Sequence, residues 1–157
     1  MSNIVVFGLG EEKYGVPIEQ VMEIIPCSEV TPVPGTPPFF EGFLNVRGEL
    51  ISLINLRKYV GMDKTDNCKD SRILILCSAD DKVQGVLVDE VTSIAEVTAD
   101  QIQPLEENGF GKGFSKELLK GVVETSYGLV VILDIEKIVS GAGDKGELQE
   151  SSVSGLQ

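Results

Sequence analysis

The sequence predicts a mainly β protein built from two five-stranded units that share a core, with a few short helices. Three observations predict this class. About ten short segments are rich in β-branched residues and separated by turn signals, helical patterns are few, and the two halves of the chain repeat one order of segments. Short strands at this spacing are typical of barrels or sandwiches.

The predicted strands are apolar or alternating runs of about four to eight residues. They are Asn3–Leu9, Gly15–Ile18, Val21–Ile25, Phe43–Val46, Leu50–Ile54, Ile73–Cys77, Val83–Val88, Val91–Val97, Val122–Thr125 and Leu129–Leu133. A capping box at Thr98–Gln101 predicts the start of one short helix. Further short helices are predicted at Pro37–Glu41, Leu56–Val60 and Ser115–Lys120.

The internal repeat keeps its register over long segments. Gly15–Val21 aligns with Gly85–Val91 at a numbering offset of 70, and Leu50–Lys58 aligns with Leu129–Lys137 at a numbering offset of 79. Composition alone makes β-rich segments look alike, but it does not require glycines and charged residues to recur in order. The repeat therefore indicates two copies of one architecture.

The repeat also predicts the domain organisation. A unit of about 70 residues is marginal alone, because small domains bury a smaller fraction of their surface. We expect a single domain over residues 1–140, made of subdomains at approximately 11–78 and 79–140, between which the first strand can exchange. Residues 141–157 are polar and are expected to be a disordered tail.

Charge and hydropathy exclude several classes of partner. The net charge is −12, which argues against nucleic acid and against anionic membrane surfaces, since both are bound mainly by Lys and Arg. No stretch approaches the ~20 apolar residues of a membrane helix, so no direct membrane insertion is expected. The chain start lacks a basic region and a cleavage site, and a cytoplasmic location is the expectation.

The residue types that carry most catalysis are missing. The sequence contains no histidine, which excludes Ser-His-Asp triads and HExxH zinc sites, and it lacks the common nucleotide-binding glycine motifs. Cys27, Cys68 and Cys77 show no CxxC spacing, so neither metal nor cofactor is expected. The alternative is a small carboxylate-dependent enzyme that uses Asp89 or Asp134 with a lysine, although acidic residues at strand ends are more often turn residues.

Two charged residues differ between the copies. Glu23 aligns with Ser93 at the offset of 70, and Arg47 aligns with Ser126 at the offset of 79. Since the opposite charges are absent together from the second copy, we hypothesise that Glu23 and Arg47 lie close together, with Arg47 at a hairpin turn, and form a docking feature. The alternative is a solvated surface pair worth ~0–1 kcal/mol, or two unrelated charges.

Four motifs in this order resemble the chemotaxis coupling protein family, CheW. They are the aromatic-Gly strand Tyr14–Ile18, the segment Val21–Ile24, the long motif Pro34–Gly48 that ends in Asn-Val-Arg-Gly, and the triplet Asn55–Arg57. The Asn-Val-Arg-Gly element in this setting is specific. The match covers roughly residues 3–140.

The resemblance implies two intertwined, five-stranded SH3-like barrels without catalysis or cofactor. It implies an adaptor between the cytoplasmic tip of methyl-accepting chemoreceptors and the regulatory domain of the histidine kinase CheA, without saying which face binds which partner. A scaffold for a non-chemotaxis receptor-kinase system is the alternative. The positions that match docking positions of the family are Val21, Glu23, Ile24, Gly42, Arg47, Gly85 and Val91.

Overall fold

The structure is a computed structural model that describes residues 2–27, 30–59, 71–104 and 119–139. The strands are β1 (Ser2–Leu9), β2 (Glu12–Pro17), β3 (Val21–Pro26), β4 (Phe40–Val46), β5 (Glu49–Asn55), β6 (Arg72–Cys77), β7 (Val83–Val88), β8 (Glu90–Val97), β9 (Leu119–Thr125) and β10 (Gly128–Leu133). The helical elements are α1 (Leu56–Tyr59), a turn of helix at 135–139, and the 3-10 turns Ile18–Gln20 and Ala99–Gln101. No helix in these ranges is long and apolar enough to span a membrane.

All ten predicted strands are confirmed, and β2, β4 and β9 each begin three residues earlier than predicted. The short helix at Leu56 is confirmed, but a helix at Pro37–Glu41 is wrong. There the Phe40 N–H donates to the Pro37 carbonyl at 3.0 Å, and Phe40 then pairs with Ile54 in a strand. The helix predicted at Ser115–Lys120 falls largely outside the described residues, as does the predicted tail.

The strands form two open, five-stranded barrels. Barrel 1 has the order β3-β6-β7-β5-β4, and barrel 2 has the order β8-β1-β2-β10-β9. Each barrel therefore contains a hairpin from the other half of the chain, β6–β7 in barrel 1 and β1–β2 in barrel 2. Each hairpin joins its barrel through one parallel pair, β5 with β7 and β10 with β2. Both β1 and β2 therefore lie in barrel 2.

Irregularities of the strands recur in register between the barrels. Met22 in β3 and Thr92 in β8 are the extra residues of equivalent bulges, related by the smaller offset of the repeat. Glu41 in β4 and Lys120 in β9 are the extra residues of a second pair of bulges, related by the larger offset. Bulges are specific local features rather than general properties of strands. Their recurrence confirms that one architecture is present twice.

The apolar core joins the two barrels. Each barrel has a small cluster of its own, and a larger central cluster combines side chains from both barrels. The central cluster includes Phe7, Leu9, Tyr14 and Val131 from barrel 2 and Ile54, Leu74, Leu76 and Val86 from barrel 1. Because burial of apolar surface is the dominant favourable term in folding, neither barrel is independent of the other.

Candidate partner-docking site

Glu23 and Arg47 form an ion pair on barrel 1, which confirms the hypothesis that they lie close together. Nη2 of Arg47 lies 3.4 Å from Oε2 of Glu23. The Arg47 side chain is 81% exposed, whereas that of Glu23 is only 27% exposed. The carboxylate is therefore the anchored partner, and the guanidinium is the one presented to solvent.

The backbone around Arg47 forms the predicted hairpin turn. Arg47 and Gly48 connect β4 to β5 and have φ angles of 53° and 87°. Positive φ at both central residues is what a two-residue type I′ turn requires. Oδ1 of Asn45 accepts a hydrogen bond from the Gly48 N–H at 2.9 Å, which holds the turn. Arg47 is thus fixed at the tip of a tight hairpin, although arginine is not a residue that favours positive φ.

The ion pair spans the opening of barrel 1. Glu23 lies on β3 and Arg47 follows β4, and these are the two terminal strands of the sheet. The chain that follows β3 makes a separate bridge to β4, in which Thr31 and Phe43 exchange hydrogen bonds of 2.8 and 3.0 Å. The bulge at Met22 directly precedes Glu23. Bulges re-aim neighbouring side chains, and here Glu23 reaches across the gap.

The exposure of Arg47 limits what the ion pair contributes to folding. Exposed ion pairs contribute ~0–1 kcal/mol, because water screens the charges and both side chains lose entropy. A guanidinium carries five N–H donors in a planar fork, and most of this fork faces solvent. What the arrangement provides is an exposed cation at the tip of a tight hairpin, which can donate two parallel hydrogen bonds to a carboxylate of another molecule.

Exposed apolar side chains accompany the ion pair. Met22 and Ile24 flank Glu23 on β3, and Leu50, three residues after Arg47, is 70% exposed. Met and Arg are enriched in protein interfaces, where apolar contacts surround a few charged ones. Reasoning from the sequence missed Met22 and Leu50. The available signal is strand alternation: Leu50 precedes the buried Ile51 on β5, and Met22 lies on β3, where half-buried and exposed residues alternate.

The remaining predicted site residues lie in packed parts of the protein. Val21 and Val91 are half-buried against the central cluster. Gly42 is buried with a φ of 139°, and a Cβ there would collide with the Thr31 carbonyl. A Cβ on Gly85 would lie 3.1 Å from the Ser52 carbonyl oxygen. The structure thus brings Glu23, Ile24 and Arg47 together at the surface and gives these four positions close packing contacts; binding by any of the seven stays a prediction.

Barrel 2 has an equivalent surface with different chemistry. Ser93, the counterpart of Glu23, accepts a hydrogen bond from the Tyr127 hydroxyl at 2.7 Å. Tyr127 lies in the β9–β10 turn, beside Ser126, the counterpart of Arg47. Ile94 and Leu129 are exposed here, at the offsets that relate them to Ile24 and Leu50. Two of the three exposed apolar residues therefore recur, whereas Met22 aligns with Thr92 and the opposite charges are absent.

The two carboxylates of the enzymatic alternative make structural contacts. Oδ2 of Asp89 accepts hydrogen bonds from Nη1 of Arg57 at 2.8 Å and from the Gly10 N–H at 2.6 Å. Oδ1 of Asp134 accepts from the Lys137 N–H at 3.3 Å, at the start of the helical turn. These contacts are those of a chain junction and a helix cap. The interpretation of strand-end acidic residues as turn residues accounts for Asp134.

Comparison with known proteins agrees with this architecture. The CheW-like domain family matches residues 3–143. The chain is 32% identical over 139 residues to a chemotaxis protein CheW from Klebsiella aerogenes, covering 88% of this chain and 82% of that relative. It is 33% identical over 133 residues to a chemotaxis protein CheW from Thermotoga maritima, covering 85% and 84%. The crystal structure of the scaffolding protein TtCheW from Thermoanaerobacter tengcongensis superposes with a TM-score of 0.78 at 32% identity, covering 85% of this chain and 89% of that one.

Proposed function

This chain belongs to the CheW family, and from that premise we propose that it is a cytoplasmic, non-catalytic adaptor that couples receptors to a kinase in bacterial chemotaxis. The proposed partners are the cytoplasmic tip of methyl-accepting chemoreceptors and the regulatory domain of the histidine kinase CheA. The name of its relatives, chemotaxis protein, and the description of its solved neighbour as a scaffolding protein support this proposal.

The observation that carries the proposal is the Glu23–Arg47 ion pair at the opening of barrel 1. Both barrels have the same strands and bulges, and exposed apolar residues recur at two equivalent positions, but the ion pair is specific to barrel 1. A feature that one copy of an architecture lacks is not required by that architecture. We therefore assign the pair to binding, with Glu23 holding the Arg47 fork in place for a carboxylate of the partner.

Co-sedimentation tests the proposal most directly. Purified chain is mixed with CheA and with a receptor cytoplasmic fragment, separately and together, and the bound fraction is compared among wild type, Arg47→Glu and Arg47→Glu/Glu23→Arg. We expect wild type to sediment with both partners and Arg47→Glu to lose at least one of them. The double reversal should stay weak, because it restores an ion pair but presents a carboxylate, not a guanidinium, to the partner.

Lys120→Glu is the matched control, since it makes the same change of charge at an exposed position of barrel 2. It should leave binding close to that of wild type. Undiminished binding by Arg47→Glu, or recovery in the double reversal, would count against the Arg47 guanidinium as the group that binds the partner. Failure of the wild-type chain to sediment with either partner would remove the functional assignment.

A further inference from the structure

We propose that Asp89 and Glu136 are positioning residues that hold the two barrels at a fixed angle. Each supplies one carboxylate oxygen that accepts hydrogen bonds from two separate segments at the junction of the barrels. The functional consequence of this inference rests on the proposed adaptor role, because an adaptor that binds two partners at once must present its two barrels in a defined orientation. We call the two arrangements the Asp89 clamp and the Glu136 clamp.

The Asp89 clamp lies where the chain passes from β7 of barrel 1 to β8 of barrel 2. Arg57, on α1 directly after β5 of barrel 1, donates to Oδ2 of Asp89 at 2.8 Å. Gly10, in the β1–β2 turn of barrel 2, donates its N–H to the same oxygen at 2.6 Å. The side chains of Arg57 and Asp89 are only 14% and 23% exposed. One partly buried oxygen therefore ties barrel 1 to the hairpin of barrel 2.

The Glu136 clamp lies at the opposite crossing, where the chain passes from β2 of barrel 2 to β3 of barrel 1. Glu136 is on the helical turn that follows β10 of barrel 2. Its Oε2 accepts from the N–H of Ala79, in the β6–β7 turn of barrel 1, at 2.8 Å. The same oxygen accepts from Nε2 of Gln20, in the crossing segment, at 2.8 Å. The connection again runs from a helix of one barrel to the hairpin of the other.

The repeat relates the two clamps but not the residues that supply the carboxylate. Gly10 and Ala79 occupy equivalent positions in the β1–β2 and β6–β7 turns, and Arg57 and Glu136 are equivalent at the offset of 79. In one clamp the carboxylate comes from the crossing segment, and in the other it comes from the helix. In both copies a carboxylate oxygen therefore accepts a hydrogen bond from the equivalent turn N–H, although different side chains supply that oxygen. This argues that the joint itself requires the contact.

Directionality distinguishes the clamps from the core between the barrels. The central cluster joins the two barrels, but the hydrophobic effect that stabilises it is by itself non-directional. Hydrogen bonds to a carboxylate depend on distance and angle and are stronger than neutral ones. The core thus holds the barrels together, and the clamps select one angle between them.

Residual dipolar couplings of backbone amides in the 157-residue chain test the proposal. For wild type, couplings from both barrels should fit one common alignment tensor. For Asp89→Ala/Glu136→Ala, we expect each barrel to fit well by itself and the common fit to fail. The control is Glu11→Ala/Asp80→Ala, which removes exposed carboxylates from the same two turns and should fit one tensor. A folded clamp variant with the wild-type common tensor would overturn the proposal.

A second measurement covers the case in which the double variant does not fold. In Glu136→Ala alone, hydrogen exchange of the Ala79 amide should rise by about tenfold or more while that of Gly10 stays unchanged, and Glu136→Gln should restore protection because it keeps an acceptor. Unchanged protection of Ala79 would also overturn the proposal. Both measurements use the chain without partners, so their failure is distinct from failure of the wild-type chain to bind CheA or receptor.

Discussion

The Tyr127 hydroxyl lies 2.7 Å from Oγ of Ser93, between the turn after β9 and the terminal strand β8 of barrel 2. Arg47 and Glu23 connect the equivalent elements of barrel 1, at the offsets of the repeat or one residue from them. A contact across the opening is therefore present in both barrels. The charge is specific to barrel 1. We therefore ascribe an architectural role to both contacts and a proposed binding role only to the charged one.

Replacing Tyr127 by Phe removes the neutral contact across the opening of barrel 2. We expect the free energy of unfolding to fall by up to about 1 kcal/mol, as for a typical single hydrogen bond, with no dependence on salt. Urea denaturation at low and high ionic strength measures this. Ser93→Ala should cost a similar amount, and the double variant should cost no more than either single one. Strictly additive losses of unfolding free energy in the double variant would contradict a hydrogen bond between Tyr127 and Ser93.

Replacing Arg47 by Asn separates binding from stability. Asn tolerates the positive φ of this turn better than Arg does, so the free energy of unfolding should stay the same or rise by a few tenths, about 0.5 kcal/mol. The cationic fork is lost, and the proposed partner binding should weaken about tenfold or more. Calorimetry with the CheA regulatory domain and with the receptor fragment measures this.

Arg47→Lys is the matched control for that experiment. Lys keeps the positive charge but cannot offer two parallel N–H donors, so binding should fall between wild type and Arg47→Asn. If Arg47→Asn binds both partners as tightly as wild type does, the guanidinium has no part in docking.

The strands were predictable because each leaves a local apolar pattern in the sequence. The ion pair was predictable because the repeat lets aligned positions be compared. Apolar alternation over each segment is independent of which strand pairs with which, so all ten strands could be recognised. Glu23 and Arg47 were found because the repeat supplied an internal reference, in which Ser93 and Ser126 lack charge.

The exchange of whole hairpins and the two clamps were not predictable, because neither leaves a local signal in the sequence. A strand such as β2 has the same apolar pattern whether it pairs within its own half or with β10, so pattern alone does not choose between partners. Arg57 and Asp89 are 32 residues apart, and Glu136 and Gln20 are 116 residues apart. Such pairs become visible only when the crossing of the chain between barrels is known. Tyr127 was missed because its counterpart, Gly48, has no side chain to compare.

Substitution of Gly42 by Ala should destabilise the protein strongly. Gly42 has a φ of 139°, which side-chain-bearing residues rarely adopt, and a Cβ there would meet the Thr31 carbonyl. We expect a loss of roughly 2–4 kcal/mol, since backbone strain and overpacking add. Gly48→Ala is the control: its φ is also positive, but nothing lies within 4 Å of its Cβ, so about 1 kcal/mol is expected. Equal losses of stability in thermal unfolding would show that the Thr31 carbonyl moves away from the new Cβ at little cost.

Stability should fall steeply at alkaline pH because of Tyr14. Burial raises the pKa of its hydroxyl above the ordinary value of 10.0, and the neighbouring Glu12 carboxylate, 3.3 Å away, adds to the rise. The folded protein therefore keeps this proton where the unfolded chain releases it. The stabilisation is complete below pH 10 and is lost as pH rises further, by up to about 1.4 kcal/mol per pH unit. Denaturant titrations from pH 8 to 11 should show this slope in wild type and a smaller slope in Tyr14→Phe. Parallel curves for the two chains would mean that Tyr14 ionises as readily in the folded state as in the unfolded one.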